Sequence, residues 1–195
     1  MTGSPTPPSR LVVGISGGSG MVYALDLLKT LVPLPVEVHL VVTAGAKQVI
    51  PTELDETIHE LEERADRVYK NTDLGAAIAS GSYLFQGMVV IPCSTGTLAK
   101  IAQGLTDNLL TRAAHVTLKE RRPLILVIRE APFSRPMLVN MLAAYDSGAT
   151  ILPASPSFYH RPEGVEELIG TVTARTLDRL SIEHDRSPRW RGAED

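Results

Sequence analysis

The sequence predicts an α/β fold built on a central parallel sheet. Short runs rich in β-branched residues alternate along the chain with longer stretches of helical spacing, which is the pattern of βαβ units. The 195 residues, 44% of them apolar and 21% charged, fit one soluble globular domain with a substantial core.

LVVGIS (residues 11–16) reads as the first strand, and YALDLLKTL (23–31) as a helix burying Leu25, Leu27, Leu28 and Leu31. VEVHLVVT (36–43) is the second strand. Residues 52–67 are rich in charge, with Leu54, Ile58 and Leu61 apolar, which predicts an amphipathic surface helix. NTDLGAAIASGSY (71–83) reads as a loop. A third buried strand covers residues 88–91 and runs into PCSTGT, followed by helical spacing through Ala102. Residues 108–121 form another helix, LILVIRE (124–130) a fourth strand and ATILP (149–153) a fifth. PASPSFYHRP then leads into a last helix over residues 163–180. The polar stretch after Ile182 is expected to be loosely held. The predicted organisation is a flexible N-terminal tail over residues 1–10, one domain over 11–182 and a C-terminal tail over 183–195.

Nineteen basic against twenty-two acidic residues give a formal net charge of −3. No overall basic field draws nucleic acid or anionic lipid, so an anionic ligand has to be held locally. The single cysteine, Cys93, excludes an internal disulfide and a CxxC metal site, fits a reducing compartment, and reads as a small buried hydrophobe. No apolar stretch reaches the roughly 18 residues of a membrane span, and MTGSPTPPSR lacks the apolar core of a secretory signal. The cytoplasm is the expected location. His39, His59, His115 and His184 show no zinc spacing and read as surface or capping residues.

In open α/β sheets, ligands bind beyond the carboxyl ends of the strands. Here those ends carry chemistry: Gly17-Gly18-Ser19-Gly20, Thr43, Ser94-Thr95-Gly96-Thr97, Arg129-Glu130, and residues 157–160. The first loop does not match GxGxxG, and the second strand ends without an acidic residue for a ribose hydroxyl, which disfavours a nicotinamide dinucleotide. It lacks GK[ST] as well. What remains is a turn whose bare backbone can approach an anion or planar ring, followed by a helix N-terminus suited to phosphate. In KERR, Arg121 and Arg122 read as a solvated helix end near a C-terminal dipole. Arg129 follows LILVI and needs a partner there, for which Glu130 is a candidate, as it is for a catalytic acid.

GISGGSG, PCSTGTLAKIAQG, DNLLTRAAHVTLKERRPLILVIREAPF, GATILPASPSFYHRP and a closing helix with Arg175 resemble the UbiX-like flavin prenyltransferases, over residues 11 to about 190. The resemblance implies a three-layer Rossmann-like or flavodoxin-like fold and a homo-oligomer, a dodecamer in the family, with sites shared between subunits. It implies that reduced FMN is alkylated by dimethylallyl monophosphate to give a fourth ring across flavin N5 and C6, the product serving a UbiD-type decarboxylase. On matching positions it implies FMN contacts at Gly17, Gly18, Ser19, Thr43, Ser94, Thr95, Gly96, Thr97 and Arg129. Lys119, Tyr159, Arg175 and Arg112 would bind the prenyl phosphate, with Ser19, Glu130 and Lys119 at the reacting centre. Breaking an allylic C–O bond develops negative charge on phosphate, which oriented cations and a phenol stabilise, and the chain has no DDxxD cluster for Mg²⁺. Two departures stand out. Asp73-Leu74-Gly75 form the stretch where some members place a tryptophan, the sole tryptophan here being Trp190 in the tail, and Gly18 replaces a common alanine. An FMN-dependent decarboxylase of the peptidyl-cysteine type and a non-catalytic flavin carrier are the alternatives. The KERR…RE and FYHRP pairing with Arg175, a second phosphate site, favours the transferase over the decarboxylase.

Overall fold

The computed structural model describes residues 9–190; the first eight residues of the expected N-terminal tail and the last five of the C-terminal one lie outside the described residues. Among the described residues there are six strands, β1 (Ser9–Ile15), β2 (Val36–Val42), β3 (Arg67–Lys70), β4 (Gly87–Cys93), β5 (Leu124–Ile128) and β6 (Thr150–Pro153). Seven α-helices accompany them, α1 (Met21–Leu31), α2 (Ala44–Glu53), α3 (Ile58–Glu62), α4 (Thr95–Ala102), α5 (Leu109–Lys119), α6 (Arg135–Asp146) and α7 (Val165–Arg179), with one short 3₁₀ turn at Ala77–Ala79. Every strand pair is parallel, and the sheet order is β3-β2-β1-β4-β5-β6. The chain winds outward from β1 in one direction, then returns beside it and winds the other way. The crevice at that reversal lies beyond the carboxyl ends of β1 and β4.

Parallel strands covered on both faces are apolar throughout, and every residue of β4 and β5 is buried. Along β1 the side chains alternate between two cores. Leu11, Val13 and Ile15 pack with Leu27, Leu28 and Leu31 of α1 and Val172 and Leu177 of α7. Val12 faces the opposite layer, where Leu109, Leu110, Ala113 and Ala114 of α5 lie. The three-layer Rossmann-like arrangement follows from this division.

Three elements are absent from the sequence reading, and one is misread. The helix expected over residues 52–67 is broken: α2 ends at Glu53, and Thr57 starts α3 through a reciprocal capping box with Glu60. The same stretch ends in β3, a four-residue edge strand whose RVYK sequence is too short and too polar to register as buried. α2 carries Pro51 and only two buried residues. α6 buries only Ala144; its apolar residues at helical spacing, Leu138, Leu142 and Tyr145, are exposed, and the sequence reading passes over them. The fourth strand stops at Ile128, which puts Arg129 and Glu130 in the following loop rather than at the end of a buried strand.

Residues 183–190, expected to be loosely held, are tied to the domain. Arg186 forms a bidentate pair with Asp26 of α1, Nη2 to Oδ1 at 2.6 Å and Nε to Oδ2 at 3.2 Å, and Arg189 reaches Asp178 of α7 at 2.9 Å. Tyr159 donates its hydroxyl to the Pro188 carbonyl at 3.1 Å. The polarity that suggests a loose tail is what pins it.

Candidate active site

The crevice is organised by a buried hydroxyl. Ser16, at the end of β1, donates to the Pro92 carbonyl at 2.9 Å and accepts the Ser94 N–H at 2.7 Å. It is fully buried and locks the glycine turn to the loop that opens α4. The backbones approach closely beside it. A Cβ on Gly17 would lie 2.9 Å from the Gly45 carbonyl carbon, and one on Gly18 3.4 Å from the Ser94 Cα. Gly20 adopts φ 106° at the N-cap of α1, a conformation that favours glycine.

The sequence suggests a phosphate site at the α1 N-terminus, but there the anion is the protein's own. Glu53, from the last turn of α2, accepts the N–H groups of Gly20 and Met21, each at 2.8 Å. Burial works against its ionisation, but hydrogen bonds from the Ser19 side chain and from those two amides, with Arg129 nearby, hold its carboxyl below the usual range. Glu53 escapes sequence reading because it belongs to no local motif; only the packing of α2 on α1 brings it to Ser19.

Arg129 donates from Nε to the Ser19 carbonyl at 3.0 Å, joining this cluster from the loop after β5. Glu130 is half-buried and accepts the N–H of Ala131 at 3.0 Å. Among the described residues the two form no ion pair, so Arg129 takes its partners from the glycine turn instead of from Glu130.

Thr43 caps α2 by accepting the Ala46 N–H at 3.2 Å. Ser94 caps α4, accepting the Thr97 N–H at 3.3 Å and donating to the Thr97 hydroxyl at 3.0 Å. The N–H groups of Thr95 and Gly96 head the same helix and have no partner within it. Gly96 has open space where a side chain would begin. With the α1 end taken by Glu53, the α4 end leaves amide donors of the kind an anion can accept at this edge.

The structure brings Gly17, Gly18, Ser19, Thr43, Ser94 through Thr97 and Arg129 to one crevice, with Glu130 beside Arg129. It does not bring the four candidate phosphate residues together within one chain. Tyr159 and Arg175 line a cavity of about 670 Å³ with Asp178, Arg189 and Trp190. Arg112 and Lys119 line another, about 480 Å³, between α5 and residues 74–81. α5 runs against the strand direction, so Lys119 lies toward the amino edge just before β5, where it pairs with Glu120. Leu74 lines this second cavity, not the crevice. Trp190, which lies in the expected tail, packs edge-on against Tyr159 at 5.8 Å between ring centroids.

Of the histidines read as surface or capping residues, His39 is buried and His184 is half-buried. His39 on β2 is bonded at Nδ1 to the Tyr69 hydroxyl (2.9 Å) and at Nε2 to Glu37 (3.1 Å); burial, only partly opposed by Glu37, depresses its pKa. His184 sits against Asp178 at 3.3 Å. Cys93 is buried as expected, and burial pushes its thiol pKa far up, which leaves it inert.

Comparison with known proteins adds to this geometry. The flavoprotein family model matches residues 2–155. The flavin prenyltransferase UbiX of Deinococcus radiodurans is 57% identical over 191 residues, spanning 98% of either chain. A crystal structure of AnUbiX in complex with FMN and dimethylallyl pyrophosphate is similar with a TM-score of 0.93 at 40% identity, covering 95% of this chain and 99% of that one. A dodecameric FMN-dependent UbiX-like decarboxylase from Escherichia coli is similar with a TM-score of 0.91 at 42% identity, covering 94% of this chain and 100% of that one. With a parallel sheet reversing at a glycine-lined crevice and relatives matching nearly end to end, this chain belongs to the flavoprotein family and, within it, to the UbiX-like flavin prenyltransferases.

Proposed function

We propose that this chain transfers a dimethylallyl group from dimethylallyl monophosphate to reduced FMN, at flavin N5 and C6, and that the prenylated FMN serves a UbiD-type decarboxylase. The observation that carries the reading is a crevice shaped by close-packed glycine backbone, beside a separate cavity holding Tyr159 and Arg175, within a chain 57% identical to a flavin prenyltransferase. A peptidyl-cysteine decarboxylase has no use for that second, cation-bearing cavity.

The residues present fit FMN. The open approach at Gly96 and the α4 amides offer a place for an anionic group, and the Gly17, Gly18 and Gly45 backbones line a wall on which a planar ring can lie. Reduced FMN supplies the nucleophile when bound. Ser16 holds the two walls in register, and Arg129 fixes the Ser19 carbonyl so that the Ser19 hydroxyl stays beside Glu53. An ionised carboxylate next to a hydroxyl forms a route by which a proton leaves the reacting centre, and Glu130 offers a second acceptor at the crevice mouth. Tyr159 and Arg175 stabilise the departing phosphate through a phenol donor and a guanidinium. Lys119 and Arg112 reach that phosphate from a neighbouring copy, which makes the assembly part of the site; a dodecamer like that of the Escherichia coli relative is the expected form. The cytoplasm is the expected setting.

The test is mass spectrometry of flavin extracted after incubation with reduced FMN and either dimethylallyl monophosphate or the diphosphate. A flavin carrying one added prenyl unit, formed faster from the monophosphate, is expected. Unmodified flavin with both donors, in a correctly assembled oligomer that binds FMN, would overturn the reading in favour of a carrier.

A further inference from the structure

Residues 183–190 do more than close the fold. Asp178, in the last turn of α7, is the meeting point of three side chains: Arg175 at 3.3 Å on Oδ2, and Arg189 at 2.9 Å and His184 at 3.3 Å on Oδ1. The carboxylate is only 21% exposed, whereas the two arginines are 67% and 62% exposed and border the same cavity. One carboxylate shared by two guanidiniums leaves an excess of positive charge facing that space. Exposed ion pairs of this kind are weak, so a phosphate dianion offering several oxygens competes well for both arginines. The segment is also coupled to Tyr159, whose hydroxyl donates to Pro188 and whose ring meets Trp190.

We propose that Arg189 is a further ligand for the prenyl phosphate, carried into the Tyr159–Arg175 cavity by residues 183–190, with Asp178 holding the two arginines side by side until phosphate replaces it. The proposal rests on the prenyl-transfer reading for the identity of the substrate. On binding, Arg175 and Arg189 turn from Asp178 to phosphate oxygens and the Tyr159 hydroxyl turns from the Pro188 carbonyl, while His184 and the Arg186–Asp26 pair keep the segment in place. Arg189 therefore sets the preference for the charged group of the donor and acts only when that group is present.

Calorimetry with the FMN-loaded, oxidised protein, which does not turn over, isolates this step, using dimethylallyl monophosphate and inorganic phosphate as probes. Arg189→Ala should weaken dimethylallyl monophosphate about tenfold and raise its KM to match, with kcat and FMN affinity close to wild type. Arg189→Lys should recover part of the loss. Asp178→Asn separates charge from tail packing: with the competing carboxylate neutralised, phosphate should bind at least as tightly as in wild type. Unchanged phosphate affinity in Arg189→Ala would overturn the proposal, and so would an equal loss in Asp178→Asn, which would assign the effect to anchoring of the segment. Absence of prenylated flavin from wild type with intact, Arg189-dependent phosphate binding would instead count against the transfer reading alone.

Discussion

Glu53 Oε2 accepts the Gly20 N–H at 2.8 Å, so a carboxylate at the end of α2 caps α1 and holds the loop that carries Ser19. Removing its charge acts on both roles. Glu53→Gln should cost about 1 kcal/mol of stability, reduced from the usual value for charged hydrogen bonds by partial exposure, and should slow ring formation at least tenfold with the oligomer intact. Urea denaturation and single-turnover spectra check the two halves.

Glu130→Gln should behave differently, because the single bond that Glu130 makes among the described residues is to the adjacent Ala131 N–H. Thermal stability and FMN affinity should stay near wild type while ring closure slows. Normal alkylation and closure rates in a stopped-flow trace would remove Glu130 from the reaction.

Ser16→Ala strips the donor from the Pro92 carbonyl and the acceptor from the Ser94 N–H in a fully buried place. The expected loss is about 1–3 kcal/mol, accompanied by weaker FMN binding as the two walls of the crevice drift. Equilibrium unfolding beside an FMN titration measures both.

Gly17→Ala and Gly18→Ala form a matched pair. A Cβ at position 17 meets Gly45 backbone at 2.9 Å, whereas one at position 18 meets Ser94 at ordinary contact distance. The first should weaken FMN at least tenfold and the second less than threefold, by the cost of displacing backbone against that of an ordinary van der Waals contact. Fluorescence titration of both variants checks the contrast.

His39 makes stability depend on pH. Its folded pKa is depressed by burial, so as pH falls below the unfolded value of about 6.5 the unfolded chain takes up a proton that the folded chain refuses, and stability drops toward the folded pKa. Melts between about pH 7.5 and 5 should show this decline, and His39→Gln should lack that part of the slope.

The strands that bury both faces are legible in the sequence because LVV, LVVT and LILVI leave no polar alternative, and the crevice is legible because glycine and hydroxyl residues follow them directly. β3 is not, since a four-residue, mostly polar edge strand carries no apolar period, and α6 is passed over although Leu138, Leu142 and Tyr145 share helical spacing, because the stretch lies between two strands that bind no motif to it. Glu53, Ser16 and Trp190 are missed for another reason. Each acquires its place through a partner distant in sequence: Glu53 through Gly20, Ser16 through Ser94, Trp190 through Tyr159. Lys119 shows the converse, a residue legible by resemblance that shares its cavity with Arg112 while its other companions, Tyr159 and Arg175, line a different cavity of the same chain.

The sheet order also governs how the molecule comes into being. β1 is made first, yet its two neighbours are β2 and β4, and Leu11 pairs with Gly87. As the chain leaves the ribosome, the first strand therefore waits with one edge unpaired until β4 emerges, and such non-local parallel pairing closes slowly. The Ser16–Ser94 lock is completed only after that moment. FMN consequently has nothing to bind until half the chain exists, and it can stabilise the finished domain without guiding its earliest folding steps.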